Sequence, residues 1–413
     1  MRSRTLFLIY SLLFVTGVSG RQSNVPSQKS PTLALALERA LPYDTITLVG
    51  GTHVAESLVV RAPLTLIGSE GATISGEGIR EALTIRADSV RVAHLTIERS
   101  GVSYLRENAG VRIEGARGCV IESCLFRDNF FGIYLADSKA CVIRGNRLTA
   151  SAQRQMQSGN GVHFWKCRDM VVENNEVIGH RDGIYLEFVT HASMRGNHSE
   201  KNLRYGIHFM FSDSCAYVEN QFVANGAGVA VMYSRAVVMK RNRFANNWGP
   251  ASYGLLLKDI TDSRVKNNTI SGNTVGLFAE GSNRIEISGN QIIKNGWAVK
   301  IMGNCEGNTF ARNDFIGNSF EVATNSRRSV NSFDGNYWSS YTGYDLDRDG
   351  IGDTPFRPVS LFAFIVERQP PALALLRSLV IDALTLAERI IPTLTPETLV
   401  DEHPAMTPLI VAP

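Results

Sequence analysis

Long apolar runs are scarce in this chain. The longest near the start, Leu6 to Val15, is too short to span a bilayer. Charge of one sign is also lacking: 42 basic against 39 acidic residues leave +3 in 413 residues, without the basic stripe of a nucleic-acid binder. The six cysteines do not read as a disulfide framework. Cys119, Cys141 and Cys215 recur at one register position, where buried thiols stack as small hydrophobes, and the one-coil spacing of Cys119 and Cys141 permits a bridge without requiring one. The leucine spacing and helical segments of a leucine-rich repeat are absent as well.

A repeat is present instead. Glycine followed by alternating residues recurs at Gly110, Gly132, Gly161, Gly183, Gly206, Gly228, Gly254 and Gly276, at intervals of 22, 29, 22, 23, 22, 26 and 22 residues. Fourteen residues after each stands a second mark: Cys124, Asn146, Asn175, Asn197, Asn220, Asn242, Asn268 and Asn290. Alternation within each unit, as in Gly183-Ile184-Tyr185-Leu186-Glu187, is the period of a strand. Three short strands per 22-residue unit predict an all-β chain, a right-handed parallel β-helix of about twelve coils. Glycine is expected to bend the corners, and asparagine to adopt the left-handed conformation and form a ladder.

Residues 1–20 read as a cleaved secretory signal, with Arg2 and Arg4, the apolar run and Val18-Ser19-Gly20. Removing the two arginines leaves a net charge of about +1 (40 basic against 39 acidic). Residues 21–44 are expected as a flexible leader and a capping helix from Pro31 to Leu41, and 45–335 as the β-helix. Residues 336–357 hold the acidic stretch Asp345-Leu346-Asp347-Arg348-Asp349-Gly350-Ile351-Gly352-Asp353. Asp345, Asp347, Asp349 and Asp353 match a calcium loop through its ninth position, but Phe356 stands where an EF-hand needs glutamate. The alternatives are a structural calcium site and an acidic turn. The tail, 358–413, is apolar and helical from Ala372 to Ile391. Its charges disfavour a membrane span, and it suits docking on a membrane partner or a membrane surface, or packing back on the rod itself. Thr393 to Pro413 is expected to be extended and partner-dependent.

Register then places side chains. The second residue after each glycine forms one outward, exposed column: Tyr134, His163, Tyr185, His208, Ala230, Leu256. The fourth forms another: Ala136, Trp165, Glu187, Met210, Met232, Lys258. His163, Glu187, His208, Met210 and Met232, with Met156 from an insertion, are candidate ligands for Cu(I), which favours thioether and imidazole donors. The same patch reads equally as a protein interface. A polysaccharide-active β-helix enzyme (lyase, hydrolase or epimerase) is the competing reading, with Tyr185, His208 and Glu187 as an acid–base set and Asp182 at the coil edge.

The segments Asp182-Gly183-Ile184-Tyr185-Leu186-Glu187-Phe188, Arg204-Tyr205-Gly206-Ile207-His208-Phe209-Met210-Phe211-Ser212 and Gly228-Val229-Ala230-Val231-Met232-Tyr233-Ser234, with Asn336-Tyr337-Trp338 and the acidic loop, resemble the NosD family. That resemblance implies a non-enzymatic periplasmic factor in the assembly of the copper sites of nitrous oxide reductase. It also implies an ABC-type ATPase and its membrane subunit, a copper-chaperone lipoprotein and the reductase as partners, with no nucleic acid and membrane association through the partner.

Overall fold

The computed structural model describes residues 20–27, 32–55, 58–103, 107–326, 330–376, 378–391 and 399–409. All of the signal segment but Gly20 lies outside the described residues. The chain winds into a right-handed parallel β-helix of about thirteen coils, with parallel sheets of 12, 14 and 13 strands. The 12-stranded sheet carries the glycine strands, such as Asp182–Glu187 and Tyr205–Met210. Ser193–Arg195 lies in the 14-stranded sheet and His198–Glu200 in the 13-stranded one. Inward residues from all three fill the lumen, Ile184, Leu186, Met194, Ile207 and Phe209 among them, each at 0% exposure.

Two expectations about repeat chemistry are corrected. None of the eight repeat glycines has a positive φ. Seven sit inside strands and Gly161 just before one, and crowding selects them: a Cβ at Gly183 would lie 2.1 Å from Ser199 Oγ and 2.5 Å from Gly206 O. Nor are the ladder asparagines left-handed. The left-handed residue is the one before each, as at Gly196 (φ 63°) and Glu219 (φ 60°).

The ladder itself forms. Each asparagine from Asn146 to Asn313 donates from Nδ2 to Oδ1 of the next at 2.9–3.1 Å. Nδ2 also donates to a carbonyl of the preceding coil, as from Asn197 to Val172 at 2.9 Å. Asparagine fits because one side chain both gives and accepts. A second ladder, five residues further on, runs through Asn202, Asn225, Asn247, Asn273, Asn295 and Asn318. His180 heads it, its backbone N–H donating to Asn202 Oδ1 at 3.0 Å.

Burial lowers the fully buried His180 imidazole to about 4. The unfolded chain therefore binds a proton that the native one refuses. The stability is complete above about pH 6.5 and lost as pH falls towards 4. His180→Asn, which would continue the ladder, is expected to remove about 2 kcal/mol of the loss between pH 8 and pH 5. Urea unfolding at the two pH values measures it.

Both ends differ from expectation. Residues Gln22–Val25 are not a flexible leader: they pair in parallel with Asp44–Leu48 and begin the first coil. Pro31 lies outside the described residues, and the capping helix spans Thr32–Glu38, with Leu33 and Leu37 in the core. At the other end helix Leu361–Arg368 lies on the outer face of the 12-stranded sheet. Phe362, Ala363 and Val366 pack there against Val275, Trp297 and Phe320. A short helical turn, Pro370–Leu375, and helix Leu379–Ile390 follow. The described end of the tail, 399–409, is not a free extension. It returns to the last coil, pairing Asp401 with Phe333 and Ala405 with Tyr337, and buries Leu399 in the core.

All six cysteines are free and buried. Cys119 and Cys141 precede the paired residues Val120 and Val142 on adjacent coils, consistent with the stacked inward column.

Candidate metal-binding site

Strand Tyr205–Met210 turns Ile207 and Phe209 into the lumen and His208 and Met210 to the outer face. Its neighbours are in strict register. Tyr185, His208 and Ala230 form one row, and Glu187, Met210 and Met232 the next. Adjacent rungs stand about 4.8 Å apart, within reach of one ion. The structure thus brings His208, Met210, Met232 and Glu187 together on one wall. The thioether run ends at Lys258, which pairs with Glu280 at 3.3 Å.

His163 stands apart from His208. Tyr185 separates them, with ring centroids 4.8 and 4.9 Å away, so the two imidazoles sit two coils apart and do not share an ion. Met156 is 70% exposed on a one-turn helix, Gln155–Gln157, in the insertion before strand Val162–Trp165.

The outward column is also less open than expected. Tyr134, His163, His208, Ala230 and Leu256 are all buried although they point away from the lumen. Stacked rings cover one another, Tyr134 on His163 at 4.5 Å, while Arg112 lies over Tyr134 at 4.6 Å. His208 Nδ1 lies 3.5 Å from Asp182 Oδ2 and 3.4 Å from an Arg204 terminal nitrogen. Burial alone would raise the Asp182 carboxyl, but Arg204 and His208 hold it down to about 2. His208 Nε2 is buried and has no partner among the described residues. An orphan imidazole nitrogen on the same wall as two thioethers is a donor set that suits a soft cation such as Cu(I).

One feature escaped the sequence reading. Phe188, Phe211 and Tyr233 follow Glu187, Met210 and Met232 at the corner, stacked at 5.2 and 5.0 Å, each more than 40% exposed and each with positive φ. Bulky residues seldom adopt that conformation. The signal was there: the same register position carries Gly115, Asp137, Lys166, Asp259 and Gly281 elsewhere.

At the acidic loop, ligand atoms of Asp345, Asp347 and Asp349 lie within 4.8 Å of one another; Asp353 is not in the group. Asp345 already accepts the N–H groups of Arg348 and Gly350, and Asp353 that of Leu346. Three convergent carboxylates suit a hard cation such as Ca²⁺.

Fold and wall together define a β-solenoid whose distinctive side chains lie on the outside of one sheet. Solved structures share the fold: a mannuronic acid specific polysaccharide family 6 lyase from human gut microbiota (TM-score 0.61, 12% identity, 90% of this chain and 99% of that one) and the alginate lyase AlyF-OU02 (TM-score 0.61, 12% identity, 77% and 84%). At that identity the likeness concerns architecture alone. The family described as periplasmic copper-binding protein (NosD) matches residues 47–157 and 150–343, and the chain belongs to it. Two relatives carry the name probable ABC transporter binding protein NosD. One, from Pseudomonas aeruginosa, is 29% identical over 402 residues (91% of this chain, 93% of the relative). The other, from Stutzerimonas stutzeri, is 29% identical over 367 residues (84% and 83%).

Proposed function

We propose that this chain is an exported, non-catalytic accessory protein of an ABC-type system. It takes up Cu(I) at His208, Met210 and Met232, with Glu187 at the edge, and passes it towards the copper sites of nitrous oxide reductase. The observation that carries the reading is the outward register of His208, Met210 and Met232, with the imidazole Nε2 unclaimed. Two thioethers and one imidazole hold Cu(I) without closing a full tetrahedron, which suits receipt and release. Met156 serves as an outlying donor on this reading, whereas His163, held by Asn160 two coils from His208, does not. A copper-chaperone lipoprotein is the source, and the exposed aromatic corner is its approach surface. Calcium in the Asp345–Asp349 loop is a structural adjunct.

The enzyme reading is weaker. Glycosidic hydrolysis needs two working carboxyl groups. Asp182 is fully buried and saturated by Arg204, which leaves Glu187 alone. If His208→Ala/Met210→Ala cells still load the reductase with copper normally, the proposal fails; the expected result is a copper-depleted reductase.

No helix among the described residues is long and apolar enough to cross a membrane. The last helix nevertheless exposes Leu379 (85%), Val380, Leu386 and Ile390 (70%), a face for the ABC membrane subunit. Changing Leu379, Leu386 and Ile390 to glutamine is expected to abolish co-purification with that subunit and leave the unfolding midpoint unchanged. Removing the whole tail would not test this, because Leu399 and Asp401 cap the rod.

A further inference from the structure

We propose that the rim where Arg181 and His163 meet Asn160 is an anion site that takes a carboxylate group. It is separate from the thioether strip, because Arg181 precedes the start of strand Asp182–Glu187 whereas the methionines sit at the far ends of theirs.

Three arginines gather on the outer face near this rim, and two are neutralised. Arg112 pairs with Glu81 at 2.6 Å, and Arg204 binds both carboxylate oxygens of Asp182. Arg181 lies on the coil beside Arg204, its carbonyl accepting the Arg204 N–H at 2.8 Å. Its Nε donates to Asn160 Oδ1 at 3.3 Å, and no carboxylate pairs with it among the described residues. Asn160 is fully buried. Its other side-chain atom, Nδ2, lies 3.0 Å from His163 Nδ1. An amide nitrogen only donates, so Nδ1 accepts and the imidazole proton sits on Nε2. That N–H is buried and has no partner among the described residues.

A half-buried guanidinium with no carboxylate paired to it and a buried N–H without an acceptor, both among the described residues, are thus tied to one asparagine. Each disfavours the folded state as it stands. A bound anion offering an acceptor to each removes both penalties. Asp182 and Glu107 act on Arg181 electrostatically without pairing with it, so the rim suits a single negative charge and disfavours a dianion. A planar carboxylate matches the guanidinium fork. The group belongs to a free acid or to an acidic side chain of a docked protein.

The test is thermal unfolding of the full mature chain in sodium acetate, against sodium chloride and sodium sulfate at equal ionic strength. Acetate at about 100 mM is expected to raise the midpoint by several degrees, more than sulfate or chloride, because a ligand specific to the native state stabilises it. Arg181→Gln should abolish the increment while raising the acetate-free midpoint, since it removes an unpaired charge. Arg181→Lys should keep part of the increment. A merely structural Arg181 would instead make Arg181→Gln less stable in every salt, which overturns the proposal, as does an acetate increment that survives Arg181→Gln or a larger one from sulfate. A glutamate-bearing peptide that acts at far lower concentration than acetate assigns the carboxylate to a protein partner; equal potency assigns it to a free acid.

Discussion

Asp401→Ala is expected to destabilise the rod by about 3–5 kcal/mol, the largest single-site loss in the molecule. Asp401 is fully buried and ends the long asparagine ladder. Its carboxylate accepts Asn336 Nδ2 at 2.9 Å, and the Asn336 N–H, the Gly335 N–H and Trp338 Nε1–H at 3.0 Å each. Every earlier rung hands on a hydrogen bond, so asparagine serves there. At the last rung nothing follows, and an acceptor-only side chain leaves no orphan donor. Alanine would strand four donors, three of them buried. Leucine would strand the same four and restore only packing, so Asp401→Leu should fall close to the alanine variant. Urea unfolding gives the loss, and hydrogen exchange should show it first at 330–338. A loss under about 1 kcal/mol in both variants would mean that water replaces the carboxylate and that the cap is dispensable.

The second large effect concerns copper. Met210→Leu/Met232→Leu is expected to weaken Cu(I) binding by about 100-fold or more, roughly 3 kcal/mol. Leucine nearly conserves volume, and both side chains are part-exposed on the outer face, so stability should change little. Competition against a chromophoric Cu(I) chelator measures the affinity. Met156→Leu, on its exposed turn, should change it far less. Equal losses in the two variants would mean that the insertion folds over the strip when metal binds.

Much of this architecture is legible in the chain. The interval between Gly183 and Gly206 recurs between Asn197 and Asn220, so unit length, strand period and side-chain direction follow from counting. Direction is not exposure. His208 points outward as its register requires, yet neighbouring rings and the Asp182–Arg204 pair bury it, and those contacts come from other coils. The repeat glycines were visible, but the reason for them was not. Crowding by Ser199 or Val177 depends on how tightly two sheets meet inside the rod. The tail was hardest to place. Asn336 and Asp401 are 65 residues apart, and nothing local to Asp401 announces an asparagine ladder awaiting its last acceptor. The second ladder needed only a second offset: asparagine recurs five residues beyond the first set, from Asn202 to Asn318.

The most direct test is X-ray absorption at the copper edge on the Cu(I)-loaded mature chain, beside its Met210→Leu/Met232→Leu variant. The account predicts a shell with two thioether sulfurs and one imidazole nitrogen, which loses its sulfur in the variant. A shell of nitrogen and oxygen alone, or a sulfur signal unchanged by the substitutions, would contradict it.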